Sequence, residues 1–340
     1  MSIQILTTAL NAVLPIVLLI LIGYVLRRKG FFTDGFLTVG SKLVFRLCLP
    51  VMLFMNVYGI GSVADIRWDL CLYCLAMIAA IFLLGAVTAI AVTPVPERRG
   101  VLTQCAFRSN FAIIGLPLAA ALGGEEASAV AAVVAAVLVP VFNVLAVIAL
   151  SMFRRDGEGH RVSAGKITLD VAKNPLIAGV LLGVVMLLLR QWQLAQFGSV
   201  VFSLQRDLAP MYKVLQDLKA VTTPLALLVL GGQFSFSAVR ELWREITVGT
   251  VWRTVLAPIL GVGGAVLLSR WGVLPCGVSD YPALIALFGS PVAVSSAIMA
   301  REMDNDEQLA TQLLVWSSVV SIVTIFAAVC LMMSVGLLTV

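Results

Sequence analysis

The sequence predicts an all-α membrane protein with ten transmembrane helices in two inverted five-helix repeats, helices four and nine being broken. Three observations predict it. Of 340 residues, 61% are hydrophobic and 12% charged, against roughly 45–50% and about 25% in soluble chains. The apolar residues form runs about 20 long, the length that crosses a bilayer as a helix. Proline and glycine landmarks recur at matching spacings in the two halves. Mean hydropathy is +1.05, and 18 acids with 23 bases are too few to coat a soluble fold of this size. A soluble enzyme, a nucleic-acid binder and a disordered chain are excluded. Runs such as 127–150 do not alternate apolar with polar residues, so a β-barrel is excluded too.

The first span, 5–26, contains Pro15 and Gly23 and is followed by Arg27, Arg28 and Lys29. No basic stretch precedes it, which argues against a cleaved signal peptide. The second, 36–58, holds Lys42, Arg46 and Pro50, and the third covers 70–92. Its Cys71 and Cys74 form a C-x-x-C with no second pair or histidine nearby. Like Cys48, Cys105, Cys276 and Cys330, they read as packing residues rather than metal or redox ligands. The fourth span, 101–122, runs from Arg108-Ser109-Asn110 to Gly115-Leu116-Pro117, and the fifth, 127–150, opens with an alanine-rich stretch. A polar loop over 151–173 carries His160, the only histidine.

The second set begins with span six at 174–190, where Gly179-x-x-x-Gly183 permits close helix packing. Segment 191–209 is less hydrophobic and reads as a loop or interfacial helix, with Pro210 opening span seven at 210–234. Span eight covers 246–268 with Arg253, and span nine covers 281–300 with Gly289-Ser290-Pro291. Span ten is 309–335, preceded by Asp304, Asp306 and Glu307, whose spacing is not that of an EF-hand. Glu125 and Glu126 read as a solvated loop pair.

With the N-terminus outside, thirteen basic residues fall on inner loops and six on outer ones. Basic residues mark the cytoplasmic face, so both termini are expected on the non-cytoplasmic side of a cell membrane, read as a bacterial inner membrane. Pro15 and Gly23 are eight apart, as are Pro175 and Gly183; Pro50 to Pro117 and Pro224 to Pro291 are each 67 residues. Residues 1–150 and 174–340 are therefore taken as the two repeats, with 151–173 between them. An odd span count makes the halves face opposite ways, the pattern of secondary transporters whose sites lie where broken helices meet. Backbone groups freed there need partners, and the N-terminal ends of the distal half-helices suit an anion.

Asn110 beside the first break is either a helix–helix bond or a ligand contact. Ser109, Ser290, Ser295 and Ser296 add hydroxyls on the same two helices. The charges inside spans, Lys42, Arg46, Arg108 and Arg253, are all cationic. They either form a positive site or snorkel to the inner face, the favoured reading for Lys42, Arg108 and Arg253. No carboxylate or histidine sits comparably deep, so a proton relay is hard to build.

The chain resembles the auxin efflux carrier family, which includes plant auxin exporters and bacterial malate or malonate permeases. The matching residues are Leu14-Pro15 through Gly23-Tyr24, Leu43-Val44-Phe45 with Leu49-Pro50, and Phe107 to Asn110 leading to Gly115-Leu116-Pro117. Asn174-Pro175, Thr223 to Leu227 with Gly231, and Ser290 to Ala293 complete them. The resemblance implies crossing helices four and nine in a transport domain that moves, elevator-like, against a scaffold, each domain drawing on both repeats. It implies small organic anions as substrates, and places Asn110, Gly115 and Pro117 at one crossover and Pro291 at the other. The chain departs at Ser295, where the family often has Asn, and at Phe111, where a small or polar residue is common.

The expectation is a carrier of a small carboxylate such as malate, malonate or an auxin-like acid. Arg108, Asn110, Gly115, Pro117, Ser290, Pro291 and Ser295 are the substrate-binding candidates, with no catalytic residue, cofactor or metal. Expected partners are the organic anion and the lipid bilayer, with a second copy of the chain as a homodimer candidate and no nucleic acid. A sodium-coupled symporter and a non-transporting anion sensor stay open as alternatives; a membrane enzyme ranks third, for want of an acid/base or metal cluster.

Overall fold

The computed structural model describes residues 2–59, 67–154, 172–235 and 237–338, with Gly165 and Leu169 between. His160 and most of the loop expected over 151–173 lie outside them. The described residues are helical, with no strand beyond one isolated bridge. In chain order the helices longer than five residues are α1 (Ser2–Arg28), α2 (Asp34–Tyr58), α3 (Trp68–Val92) and α4 (Pro96–Phe107). Then come α5 (111–122), α6 (125–152), α7 (Pro175–Phe197) and α8 (Ala209–Gln233). The last are α9 (Trp243–Arg270), α10 (Asp280–Gly289), α11 (Ser295–Glu302) and α12 (Glu307–Ser334). Seven helical stretches among the described residues are long and apolar enough to cross a membrane: α2, α3, α5 with α6, α7, α8, α9 and α12.

The expected span boundaries agree with these helices to within a few residues, with one correction. Residues 191–197, expected as loop or interfacial helix, continue α7. The helix stops at Gly198, whose left-handed φ of 65° turns the chain, a conformation that costs glycine little. Gly124 (φ 66°, ψ −153°) likewise makes the corner between α5 and α6.

Prolines shape the helices by a common device. Pro50, Pro117 and Pro258 each stand two residues beyond a π-turn, at Val44–Cys48, Phe111–Gly115 and Trp252–Leu256. A proline ring strikes the carbonyl four residues back, here that of Arg46, Ile113 or Thr254, the middle residue of its turn. Widening that turn to π geometry makes room without ending the helix. The helix interruption in the first half therefore lies at Arg108–Asn110, before Pro117, and not at Gly115–Pro117 itself.

The helices pack in two sets, joined where α1 also lies against α12. In one, α1 lies along α8 and α2 along α7. A methyl added at Gly23 would strike the Leu228 carbonyl, and one at Gly231 would strike that of Ile20. Gly179 abuts the Pro50 carbonyl and Gly183 abuts Val57. In the other group α3 packs on α4, α10 on α5 and α6, and α9 and α11 on α12. An ion-pair cluster joins three of its helix ends: Arg98 meets both Glu245 and Asp306, the latter also capping α12 through Leu309 N.

Candidate functional site

The two interrupted helices meet at their interruptions. Asn110 N donates to Pro291 O at 2.7 Å, and Ala293 N donates to Arg108 O at 3.3 Å. Together they make an antiparallel bridge between Ser109 and Val292. Val292 N finds the Ser317 hydroxyl of α12, so backbone groups released by the breaks are satisfied in part by the opposite break and in part by α12. That is the alternative to water at such depth.

Arg108 is the centre of those side chains. It is 3% exposed; Nη2 donates to Asn143 Oδ1 at 2.6 Å and to Ser295 Oγ at 2.8 Å, and Nη1 faces Met299 Sδ. Asn143 Nδ2 is fixed on Val139 O, which turns its oxygen toward the arginine. Among the described residues no carboxylate lies within ion-pair distance of Arg108. Asn110 is equally buried, and its Nδ2 has no partner. Its backbone oxygen accepts from Ile113, Ile114 and Gly115 N, starting α5, while the side chain takes no part in capping.

These groups border a hollow of about 50 Å³, lined also by Thr222, Thr223, Leu53 and Ser295. A cavity of about 560 Å³ adjoins it, sharing Met52, Asn56, Ile113, Val139 and Thr223. That volume falls within the range of small-molecule sites. Its walls are mostly apolar, with Lys219 as the cation on its lining. A larger cavity, about 800 Å³, is elsewhere, between the ends of α1, α2 and α8 and the start of α12. Both signs of charge line it; Arg27 pairs with Asp34 and Arg301 with Glu307, while Arg28 donates to the Tyr24 hydroxyl and leaves one cation in excess.

Of the seven residues singled out from sequence, Arg108, Asn110 and Ser295 line the hollow. The other four lie behind it. Gly115 is pressed between Phe111 and the Ala286 carbonyl, Ser290 Oγ bonds to Ala286 O, Pro291 supplies the carbonyl that holds Asn110, and Pro117 sits in the first turn of the helix after the π-turn. Sequence reasoning missed Asn143, an asparagine inside the fifth apolar run that could have been flagged as Asn110 was.

Snorkelling is overturned for two of the cations. Arg108 and Arg253, at 3% and 1% exposed, end in the protein interior with polar partners there, whereas Lys42 and Arg46 are exposed. Glu125 and Glu126, expected as a loop pair, are exposed but open α6. Cys71 and Cys74 are buried free thiols, and among the described residues no cluster could hold a metal ion.

A family model described as membrane transport protein matches residues 8–328. A protein of Methanothermobacter thermautotrophicus, described as an uncharacterized transporter, is 21% identical over 328 residues, covering 93% of this chain and 95% of its own length.

Proposed function

The chain belongs to the membrane transport protein family, that of the auxin efflux carriers, and from that premise we propose that it carries a small carboxylate across the membrane. The single observation behind this reading is the buried Arg108 at the meeting of two broken helices, with neutral partners and an adjoining cavity. A buried guanidinium is expensive unless its charge is compensated. A carboxylate entering from the cavity supplies that compensation through charge-assisted hydrogen bonds. Asn110 Nδ2 adds a neutral donor, Ser295 a hydroxyl, and the α5 and α11 N-terminal ends lie on the same side.

The two packing groups supply the motion. In this reading α1, α2, α7 and α8 form a scaffold, and the remaining helices carry the substrate past it in an elevator-like step. The cavity lies on the boundary, lined by α2 and α8 on one side and α5 and α6 on the other. The α1–α8 and α2–α7 seams use glycines of spans one, six and seven in corresponding ways, which supports an inverted repeat of five plus five spans. With basic loops inside, the cavity faces outward and both termini lie outside.

Counterflow in proteoliposomes tests the proposal, with labelled malonate, malate and indole-3-acetate as probes. Parent protein exchanges at least one of them, and Asn110→Ala lowers the rate about tenfold, as loss of one hydrogen bond to a charged group implies. Equal rates for parent and variant overturn the assigned site. Binding without counterflow overturns transport in favour of a sensor, and strict sodium dependence converts the reading to symport.

A further inference from the structure

Arg253 is among the largest fully buried side chains in the described structure, and it is not one of the residues that line the hollow. It rises from the π-turn of α9, and its Nη1 donates to Ala106 O at 3.2 Å while Nη2 donates to Phe288 O. Ala106 and Phe288 are each the next-to-last residue of a half-helix, α4 and α10. The last carbonyls of a helix lack intrahelical partners. One guanidinium therefore caps two helix C-terminal ends at once, and those ends are the ones that lead into the two breaks. Each end carries roughly half a negative charge, so the pair matches one arginine. Among the described residues no carboxylate is within ion-pair distance of it.

We infer that Arg253 is a positioning residue: it ties the two proximal half-helices together and cancels their negative ends, so that the opposite, Arg108-bearing face of the crossing presents net positive charge to an anion. The inference rests on the anion-carrier reading for its electrostatic half, and stands on geometry alone for the tie. The arrangement is two-faced. Helix C-terminal ends meet a resident cation on one side, and N-terminal ends with Arg108 await a mobile anion on the other.

The test uses the purified full chain with malonate and indole-3-acetate, read by thermal-shift titration and by amide hydrogen exchange without ligand. In Arg253→Gln the affinity for whichever probe the parent binds falls at least about tenfold, and exchange quickens at both 105–115 and 286–296. Arg253→Lys keeps the charge, so its affinity stays within about threefold of the parent. A Gln variant that melts lower yet binds like the parent reduces Arg253 to an ordinary cap and overturns the electrostatic role. So does a tenfold loss in the Lys variant, which remains informative if the Gln variant does not fold. A parent that binds neither probe counts against the carrier reading, and the exchange arm then decides the tie by itself. Exchange that is unchanged, or that quickens at one break alone, overturns the tie.

Discussion

The glycine seams and the broken-helix core solve opposite problems in one bundle. Along α1–α8 and α2–α7 the contacts are backbone against backbone, with Gly23, Gly231 and Gly179 each leaving no space for a methyl group. In the core, two arginines and an unpartnered amide are buried between interrupted helices. The seam is specified by volume and indifferent to charge; the core is specified by charge and hydrogen bonding. Under the proposed carrier function, a rigid support and a polar moving part call for that division, since close packing confers stiffness and unsatisfied donors favour a ligand.

Substitutions can break this contrast. The largest effect is expected from Gly231→Val, which drives a side chain into the Ile20 carbonyl. Overpacking costs about 1–3 kcal/mol where neighbours yield, and here the struck atom is backbone. Little monodisperse protein should survive size-exclusion chromatography; normal yield with a parental melting temperature would break the seam argument. Next is Arg108→Gln. Transport should fall by about 100-fold, as when one partner of a buried charged contact is truncated. The melting temperature should hold or rise, because an uncompensated charge leaves the interior. A large stability loss with residual transport would make Arg108 structural. The smallest effect belongs to Lys219→Gln at the cavity lining. Uptake should slow by about two- to fivefold at low ionic strength and by less in salt, since screening weakens a partly exposed charge. An effect insensitive to salt would move Lys219 from steering into direct contact.

Much of the core was legible in the residues and some was not. Arg108, Asn110 and Ser295 stand out as polar groups in apolar runs, and all three line the hollow. Gly115 and Ser290 were grouped with them because proline-linked breaks suggest free amides. The structure instead engages those segments in packing and in the bridge between breaks. Distance along the chain hid this, since Asn110 and Pro291 are 181 positions apart. Asn143 is visible as an amide inside an apolar run, but its partner Arg108 is on another helix, and that pairing is what the chain order hides.

By itself the sequence determined the membrane class, the order and approximate ends of the helices, and the regions where two of them break. These follow from local physics: hydrophobic length, the missing proline amide and the freedom of glycine. Only the tertiary structure decided which cations are buried and what they meet. Arg108 and Arg253 look alike as isolated arginines in apolar runs, yet one faces side chains beside a cavity and the other caps two helix ends. The partners of Arg253 are backbone carbonyls, which every residue possesses, and only three-dimensional placement selects the ones left free to accept.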